Sequence, residues 1–309
     1  MLDVSYANLR GGEVALGLHR SSLFEALYAA CREAGVIFET GFDVEAADQD
    51  QGRFIARDGR SSARFDLLVD ALGARSPLGA ARRDLGFGAL WATVPLPAGA
   101  QADALEQRYE AARIMIGVLP CGEAPGIKGP AATFFWSLKP AEEAAWRAAG
   151  LDAWKARVLS LWPEVEPVLD RLSDPDQLIL ARYAHRTRAM AAGRKLAVIG
   201  DAARSTSPQL GQGVNMGLLD AWALDRALAA HGDLDAALSV YAGSRWAHVR
   251  LYQTLSWAFT PFYQSDDPVL PAVRDHVLGR VSRIPPSPRL LAATVSGLLL
   301  DPRRGLGLI

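Results

Sequence analysis

The chain has 309 residues, enough to bury a sizeable core and to form two intimately packed domains. Half of it is hydrophobic and its formal charge is −1, a balance that excludes a disordered chain and a polyanion-binding protein, so no nucleic-acid partner is expected. Its two cysteines, Cys31 and Cys121, sit in unrelated contexts without metal-ligand spacing; they read as free thiols in a reducing compartment, with no metal site.

No secretory signal opens the chain: residues 1–10 include Asp3, Asn8 and Arg10 and lack an apolar core, so a cytoplasmic location is expected. Ser22 with Glu25 fits a capping box, predicting a helix that begins at Ser21 or Ser22. That helix sets Phe24, Leu27, Cys31 and Ala34 on one face and stops at Gly35. Residues 36–40 then read as a strand. Segments 53–57 and 62–65 flank Asp58-Gly59, a strong hairpin-turn signal. Residues 66–70 form a continuous apolar run typical of a buried strand. Helix, strand, hairpin and buried strand together predict an α/β layer.

From residue 85 the pattern changes. Strand-like runs at 90–96, 113–119 and 133–138 are separated by Pro-, Gly- and acid-containing segments, which predicts an antiparallel sheet. Helices over 141–149 and 152–161 should lie on it, with Pro163 and Pro167 marking the end of the second, and 177–182 returns as a strand. Trp91, Phe134, Phe135, Trp136, Tyr183 and His185 give this region an aromatic interior. Alternation sends only half of each strand toward any cavity, so most of these are core and the rest could wall a ligand pocket. His185, beside Arg186 and Arg188, reads as a surface position before it reads as a general base.

Residues 196–199 are a short apolar strand between Gly193 and Gly200. Val214, Leu218, Ala221, Leu224 and Leu228 recur at helical spacing, predicting an amphipathic helix over 213–230. Between them lies a loop with Asp201, Pro208 and a Gly-Gln-Gly at 211–213. An acid just past a strand's carboxyl end can accept hydrogen bonds from polyol or ribose hydroxyls. Gly211 and Gly213 remove the Cβ atoms that would keep a flat ligand off the backbone. The free N–H groups and dipole of the helix start favour negative charge beside them.

Beyond Gly232, residues 234–257 read as a long, partly buried helix. Pro261 and Pro268 should break the helices in TPFYQSDDPVL, 260–270. The tail joins a proline linker to an apolar helix followed by Arg303 and Arg304. It is expected to pack on the first domain, with peripheral contact to a membrane surface as the other reading. Its apolar run, 290–300, is shorter than the about 20 residues a bilayer requires.

The pattern GD, then P, then GQGxNxGxxDAxxL over 200–224 resembles the second flavin-binding motif of the single-component flavoprotein monooxygenases with the para-hydroxybenzoate hydroxylase fold. The resemblance implies that Asp201 binds the ribityl chain of FAD and that Pro208 lies beside the isoalloxazine. It also implies that Gly211, Gln212, Gly213, Val214 and Asn215 face the ring's pyrimidine edge. His19-Arg20 followed by Leu23 and Leu27 matches the family's hR-x-x-L-x-x-x-L segment, whose arginine contacts FAD; Arg20 would reach a phosphate or ribityl oxygen. DLLVDALGARSPL, 66–78, aligns with D-x-V-x-G-A-D-G-x-x-S, with Asp70 in place of a glycine and Leu72 in place of the second aspartate. This DAxGxxS form looks like a variant found in related FAD reductases and epoxidases. TPFYQSD resembles a TPFFQSD segment of hydroxylases like those of ubiquinone biosynthesis, without an evident chemical role.

The implied fold is mixed α/β (α+β). A Rossmann-like FAD-binding domain covers 1–84 and returns over 191–230, an antiparallel-sheet substrate domain is inserted over 85–190, and C-terminal helices cover 231–309. The implied activity is that of an FAD-dependent monooxygenase, a hydroxylase that uses NADH or NADPH and O2 on an aromatic, quinone-like or other apolar small molecule. Two alternatives stand beside it: an FAD-dependent reductase or epoxidase acting on an isoprenoid-like substrate, and an inactive remnant that binds no FAD. The second alternative arises because the family normally opens with a βαβ unit carrying GxGxxG and an acid about 20 residues later. Neither is found here, Gly11-Gly12 being two adjacent glycines with no buried strand before them. On that reading the FAD-binding domain is incomplete, the start is misassigned or the gene truncated, and strands 66–70 and 196–199 face a gap with unpaired backbone.

Overall fold

A computed structural model describes residues 3–79 and 82–308. Helix α1 (Arg20–Glu33) is followed by strands β1 (Val44–Asp48), β2 (Arg53–Ala56) and β3 (Leu68–Asp70). Strands β4 (Arg83–Pro95), β5 (Glu106–Glu110), β6 (Ile114–Glu123) and β7 (Pro130–Leu138) come next, then helices α2 (Glu143–Ala149), α3 (Leu151–Leu161) and α4 (Glu166–Leu169). Strands β8 (Ile179–Thr187) and β9 (Leu196–Val198) lead to α5 (Gly200–Ala203), β10 (Arg204–Ser205) and α6 (Gly213–Ala230). The chain ends in α7 (Leu234–Tyr263), α8 (Leu270–Val273), α9 (Gly279–Val281) and α10 (Ser287–Val295). These elements form two compact units. The first holds residues up to Phe38, Gly86–Arg182 and Thr260–Ile284; the second holds Glu39–Leu85, Tyr183–Phe259 and the residues from Pro285 on.

The first unit is built on a sheet in the order β8-β4-β7-β6-β5. Strand β7 pairs antiparallel with β4 and β6, placing Leu90, Trp136 and Ile116 side by side and Trp91, Phe135 and Gly117 side by side one residue along. Period-2 alternation therefore gives the sheet two different apolar faces. Leu90, Ala92, Val94, Ile116, Phe134, Trp136 and Leu138 face α2–α4, which bring Trp146, Trp154, Val158, Trp162 and Leu169 into the same core. Trp154 meets Phe134, Trp136 and Trp146 edge-on with centroids 5.7, 6.1 and 6.3 Å away, an arrangement the ring quadrupole favours. On the other face the Phe135 ring lies over Gly117, where an added Cβ would come within 1.9 Å of it, and stacks tilted on Trp91 at 5.0 Å.

In the second unit β3 and β9 pair in parallel, Leu68 with Leu196 through Asp70 with Val198. Helices α6 and α7 cover that pair with Ala223, Leu224, Ala227, Leu238 and Tyr241, whose hydroxyl donates to Val198 O at 2.9 Å. The tail packs on α7: Tyr252 donates to Thr294 O at 3.0 Å and accepts from Leu299 N at 3.3 Å. Trp222 Nε1 of α6 donates to Leu306 O at 3.0 Å. Among the described residues, no helix is long and apolar enough to cross a membrane.

The sequence and the structure part in several places. Helix α1 starts at Arg20, capped by His19 Nδ1 accepting from Ser21 N at 3.3 Å. Ser22 lies inside the helix and donates to Glu123 O at 2.8 Å in place of a capping box. Residues 36–40 form no strand, since no described segment offers them a ladder, and Ile37 is 93% exposed. The turn at Asp58-Gly59 forms, with Gly59 at φ 86°, but β2 pairs chiefly with β1, and Ser61 contributes a single bridge to Ile55. Both β1 and β5 escape sequence reading because their acids and arginines hide the alternation. Pro261 does not stop α7; it sits in the last turn, where one missing N–H costs a single helical bond. Residues before Phe38 group with the large sheet, and the C-terminal helices divide between the two units, a partition that no composition shift announces. Strands β3 and β9 pair with each other in a two-stranded sheet among the described residues.

Candidate functional site

The site is built where β9 ends. Ile199 N donates to Asp70 O at 3.0 Å, and the chain then turns at Gly200, whose φ of 56° lies in the left-handed region that side chains disfavour. An added Cβ at Gly200 would sit 3.8 Å from Gly217 Cα, so the turn and α6 approach backbone to backbone. Helix α5 is one turn long and carries Asp201 exposed on it. Strand β10 then pairs with the end of β8, Arg204 with Thr187 and Ser205 with Arg186. A 3₁₀ turn over Pro208–Leu210 closes on Gly211 in the left-handed conformation, φ 64°, and Gln212 leads into α6. No side chain caps the N-terminus of α6, which leaves its first-turn N–H groups for another acceptor.

Seven of the eight residues expected to bind cofactor lie on this one segment. Asp201, Pro208, Gly211, Gly213, Val214 and Asn215 are exposed along a single stretch, and added Cβ atoms at Gly211 and Gly213 would meet nothing within 4 Å. Gln212 turns inward instead: its Nε2 donates to Val295 O at 2.5 Å and its Oε1 accepts from Asn215 Nδ2 at 3.1 Å. Beside it is a cavity of about 350 Å³ lined by Gln212, Asn215, Leu218, Trp222, Gly297 and Asp301. The eighth residue, Arg20, is the exposed first residue of α1 in the other unit. His185 is half-buried, and burial, followed by the charge of Arg83, lowers its pKa, so its ring is held neutral. Within the first unit, TPFYQSDDPVL docks on the sheet face that carries Trp91 and Phe135. Gln264 Nε2 donates to Ser137 Oγ at 3.2 Å, and Lys139 Nζ donates to Asp266 at 2.8 Å.

Two buried charge clusters support the loop, and sequence reading passed over both. Asp70, fully buried, accepts from Leu72 N at 3.1 Å, Ser76 Oγ at 2.7 Å and Arg188 Nη1 at 2.6 Å. Arg186 adds Nη1 bonds to Ser76 O at 2.9 Å and Ala74 O at 3.2 Å. The aspartate standing in the position of a motif glycine thus finds its partner 118 residues away. The second cluster centres on Asp220, fully buried on α6, which accepts from Gly200 N at 2.9 Å, from Arg245 Nε at 3.0 Å and from Arg204 Nη2. Arg245 Nη1 also donates to His248 Nδ1 at 2.9 Å, and His248 Nε2 lies 2.9 Å from Gly297 O. Because arginine can only donate, Nδ1 must accept and the imidazole carries its proton on Nε2. Burial pulls the His248 pKa down to about 4, against the bond to Gly297 O, and keeps that ring neutral. The available signals were the Arg-x-Arg at 186–188 and the final acid of the loop-helix pattern.

The segment suits a polar, flat ligand. Arg204 Nε, Ser205 Oγ, Ser207 Oγ and Gln209 Nε2 are buried without a hydrogen-bond partner inside the protein, a state that costs free energy unless something else bonds them. With the open glycines and the uncapped helix start, they fit FAD.

A profile of the family described as FAD binding domain matches residues 128–250. AqdB1 of Rhodococcus erythropolis, a candidate 2-heptyl-3-hydroxy-4(1H)-quinolone synthase by its name, is 25% identical over 309 residues, 95% of this chain and 71% of that protein. Among solved structures, Klebsiella pneumoniae HpxO complexed with FAD and uric acid superposes with a TM-score of 0.74 at 21% identity, covering 92% of this chain and 72% of HpxO. A variant of 2-methyl-3-hydroxypyridine-5-carboxylic acid oxygenase gives a TM-score of 0.69 at 20% identity, over 93% of this chain and 73% of the oxygenase.

Proposed function

We propose that this chain is an FAD-dependent monooxygenase of the para-hydroxybenzoate hydroxylase fold that oxygenates a small, flat, mainly apolar aromatic or heteroaromatic ring at the expense of NADH or NADPH and O2. The observation that carries the placement of the flavin is the stretch from Asp201 to Asn215, with an acid, two open glycines and an uncapped helix start exposed in sequence order. Asp201 would accept from ribityl hydroxyls, and Pro208 would lie beside the isoalloxazine. Gly213, Val214 and Asn215 would offer backbone N–H groups to its pyrimidine edge, with Gly211, whose own N–H donates to Pro208 O at 2.9 Å, leaving the backbone open to the ring and Gln212 holding Asn215 in place. Arg20 would serve a phosphate or ribityl oxygen. FAD, when bound, supplies the redox chemistry that takes electrons from the nicotinamide and activates oxygen. The protein's own contribution is electrostatic: N–H groups fixed at the start of α6 favour negative charge on the ring, and one such preorganised donor is worth about 3 kcal/mol. In the first unit, the Trp91–Phe135 pair on the sheet face opposite α2–α4 would supply an apolar wall for the substrate. The names of the relatives, which concern a quinolone, uric acid and a pyridine, support a planar ring as the substrate.

Visible absorption of the purified 309-residue chain tests the reading. The wild type should carry or take up FAD, and Asp201→Ala should weaken FAD binding at least tenfold and so lower its FAD content, as expected for a lost bond to a charged acceptor of about 1.5–3 kcal/mol. Equal FAD content in wild type and variant would remove the assigned role. The DAxGxxS segment favours the second reading, a reductase or epoxidase. Oxygen uptake matched by a hydroxylated ring product decides for the first.

A further inference from the structure

We propose that Asp220 is a positioning residue for the flavin, fixing the geometry of Asp201 by clamping both ends of the turn that carries it. The inference rests on the flavin reading of the loop and names the residue through which α6 controls that loop.

The buried stripe of α6 is Met216, Asp220, Ala223, Leu224 and Ala227, so a carboxylate stands in a row that is otherwise apolar. A buried carboxylate without partners would be too costly to keep, and the partners it has are informative. One is Gly200 N, the first residue of α5, at 2.9 Å; another is the guanidinium of Arg204, which directly follows the last residue of α5. Asp201 is therefore held between two points fixed on the same side chain. Gly200 also faces Gly217, one turn before Asp220 on α6, where an added Cβ would stand 3.8 Å from Gly217 Cα. Third, Arg245 Nε at 3.0 Å brings in α7, and through His248 the chain of bonds reaches Gly297 O on the wall of the cavity beside Gln212. Arg245 is itself fully buried, and its Nη2 lies 3.4 Å from Met216 Sδ, one turn before Asp220.

The test uses the full 309-residue chain and flavin fluorescence quenching, with FAD and riboflavin as probes. Riboflavin contains only the isoalloxazine and ribityl parts. If Asp220 acts through Asp201, Asp220→Asn weakens FAD and riboflavin by the same factor, tenfold or more. Asp201→Asn added to Asp220→Asn then costs little further, because the second loss removes what the first has already misplaced. The charge-balanced variant Arg204→Gln/Asp220→Asn, which removes one charge of each sign, should fold where Asp220→Asn does not and show the same parallel loss. Unchanged affinities in a folded variant, or losses at Asp201 and Asp220 that multiply as independent factors, overturn the proposal while leaving the flavin reading intact. A wild-type chain that quenches neither probe overturns the flavin reading and the role of Asp220 with it.

Discussion

Acid should weaken the second unit through His248. The side chain faces Arg245 on its own helix, the charges of Arg204 and Asp301, the Gly297 carbonyl and the edge-on ring of Tyr252 at 4.9 Å. Its pKa is lowered, first by burial, from 6.5 to about 4. The sign follows from where protons bind. Between those values the unfolded chain protonates this histidine and the folded chain does not, so stability is fully present above about pH 6.5 and is lost as pH falls toward about 4. The drop corresponds to about 3 kcal/mol, a large share of a domain's total stability. Urea midpoints followed by tryptophan fluorescence at about pH 7 and about pH 4.5 measure the loss, with His248→Gln as the control. Glutamine keeps a donor for the Gly297 carbonyl but cannot titrate, so its midpoint should start lower near neutrality and fall less on acidification. Equal acid-induced losses in wild type and His248→Gln would refute the assignment and move the acid sensitivity to other groups.

Other substitutions test other parts of the structure. Gly117→Ala would press a methyl group into the Phe135 ring and should destabilise the first unit by about 1–3 kcal/mol, read by thermal unfolding, together with a change in near-ultraviolet circular dichroism as the ring tilts. Arg188→Met would leave the Asp70 carboxylate buried beside Ser76 and Leu72 N without its cation; a cost of about 3–5 kcal/mol is expected, most of it recovered in Asp70→Asn/Arg188→Met. Tyr241→Phe removes the hydroxyl that donates to Val198 O, and chemical denaturation should report about 1–3 kcal/mol because the carbonyl is left buried without that donor.

The parts of this molecule that were legible in the sequence are those governed by local periodicity. Helix α6 has the bounds its apolar spacing predicts, 213–230; β7 contains the run read as a strand there, and β4 and β6 contain theirs but for one residue each, 96 and 113. The segment proposed to bind the flavin was legible because its chemistry would depend on residues close in sequence, and the fold keeps that order along one exposed stretch. What holds the segment in place depends on distant pairs, Asp70 with Arg188 and Asp220 with Arg204 and Arg245, and charge composition alone does not reveal which arginine meets which acid. Gln212 shows the boundary within a single motif. Its place in the Gly-Gln-Gly was visible, but its turn toward Val295 depends on a tail more than eighty residues away. Residues 36–40 show the opposite error, a run with β-branched and aromatic members that finds no ladder and stays exposed.

The Asp220 cluster has a consequence for how the protein responds to its medium. Mobile ions screen charges that touch water, over a Debye length of about 8 Å at physiological ionic strength, but they reach buried pairs poorly. Exposed pairs such as Arg57–Asp43 and Arg147–Asp176 should fade as salt is added, whereas the contacts among Asp220, Arg204 and Arg245 should not. The loop proposed to receive the ring would then keep one shape from dilute buffer to high salt, and any salt dependence of ligand uptake would belong to exposed charges, those of the ligand and of Asp201 and Arg20, and not to the grip of the protein on its own loop.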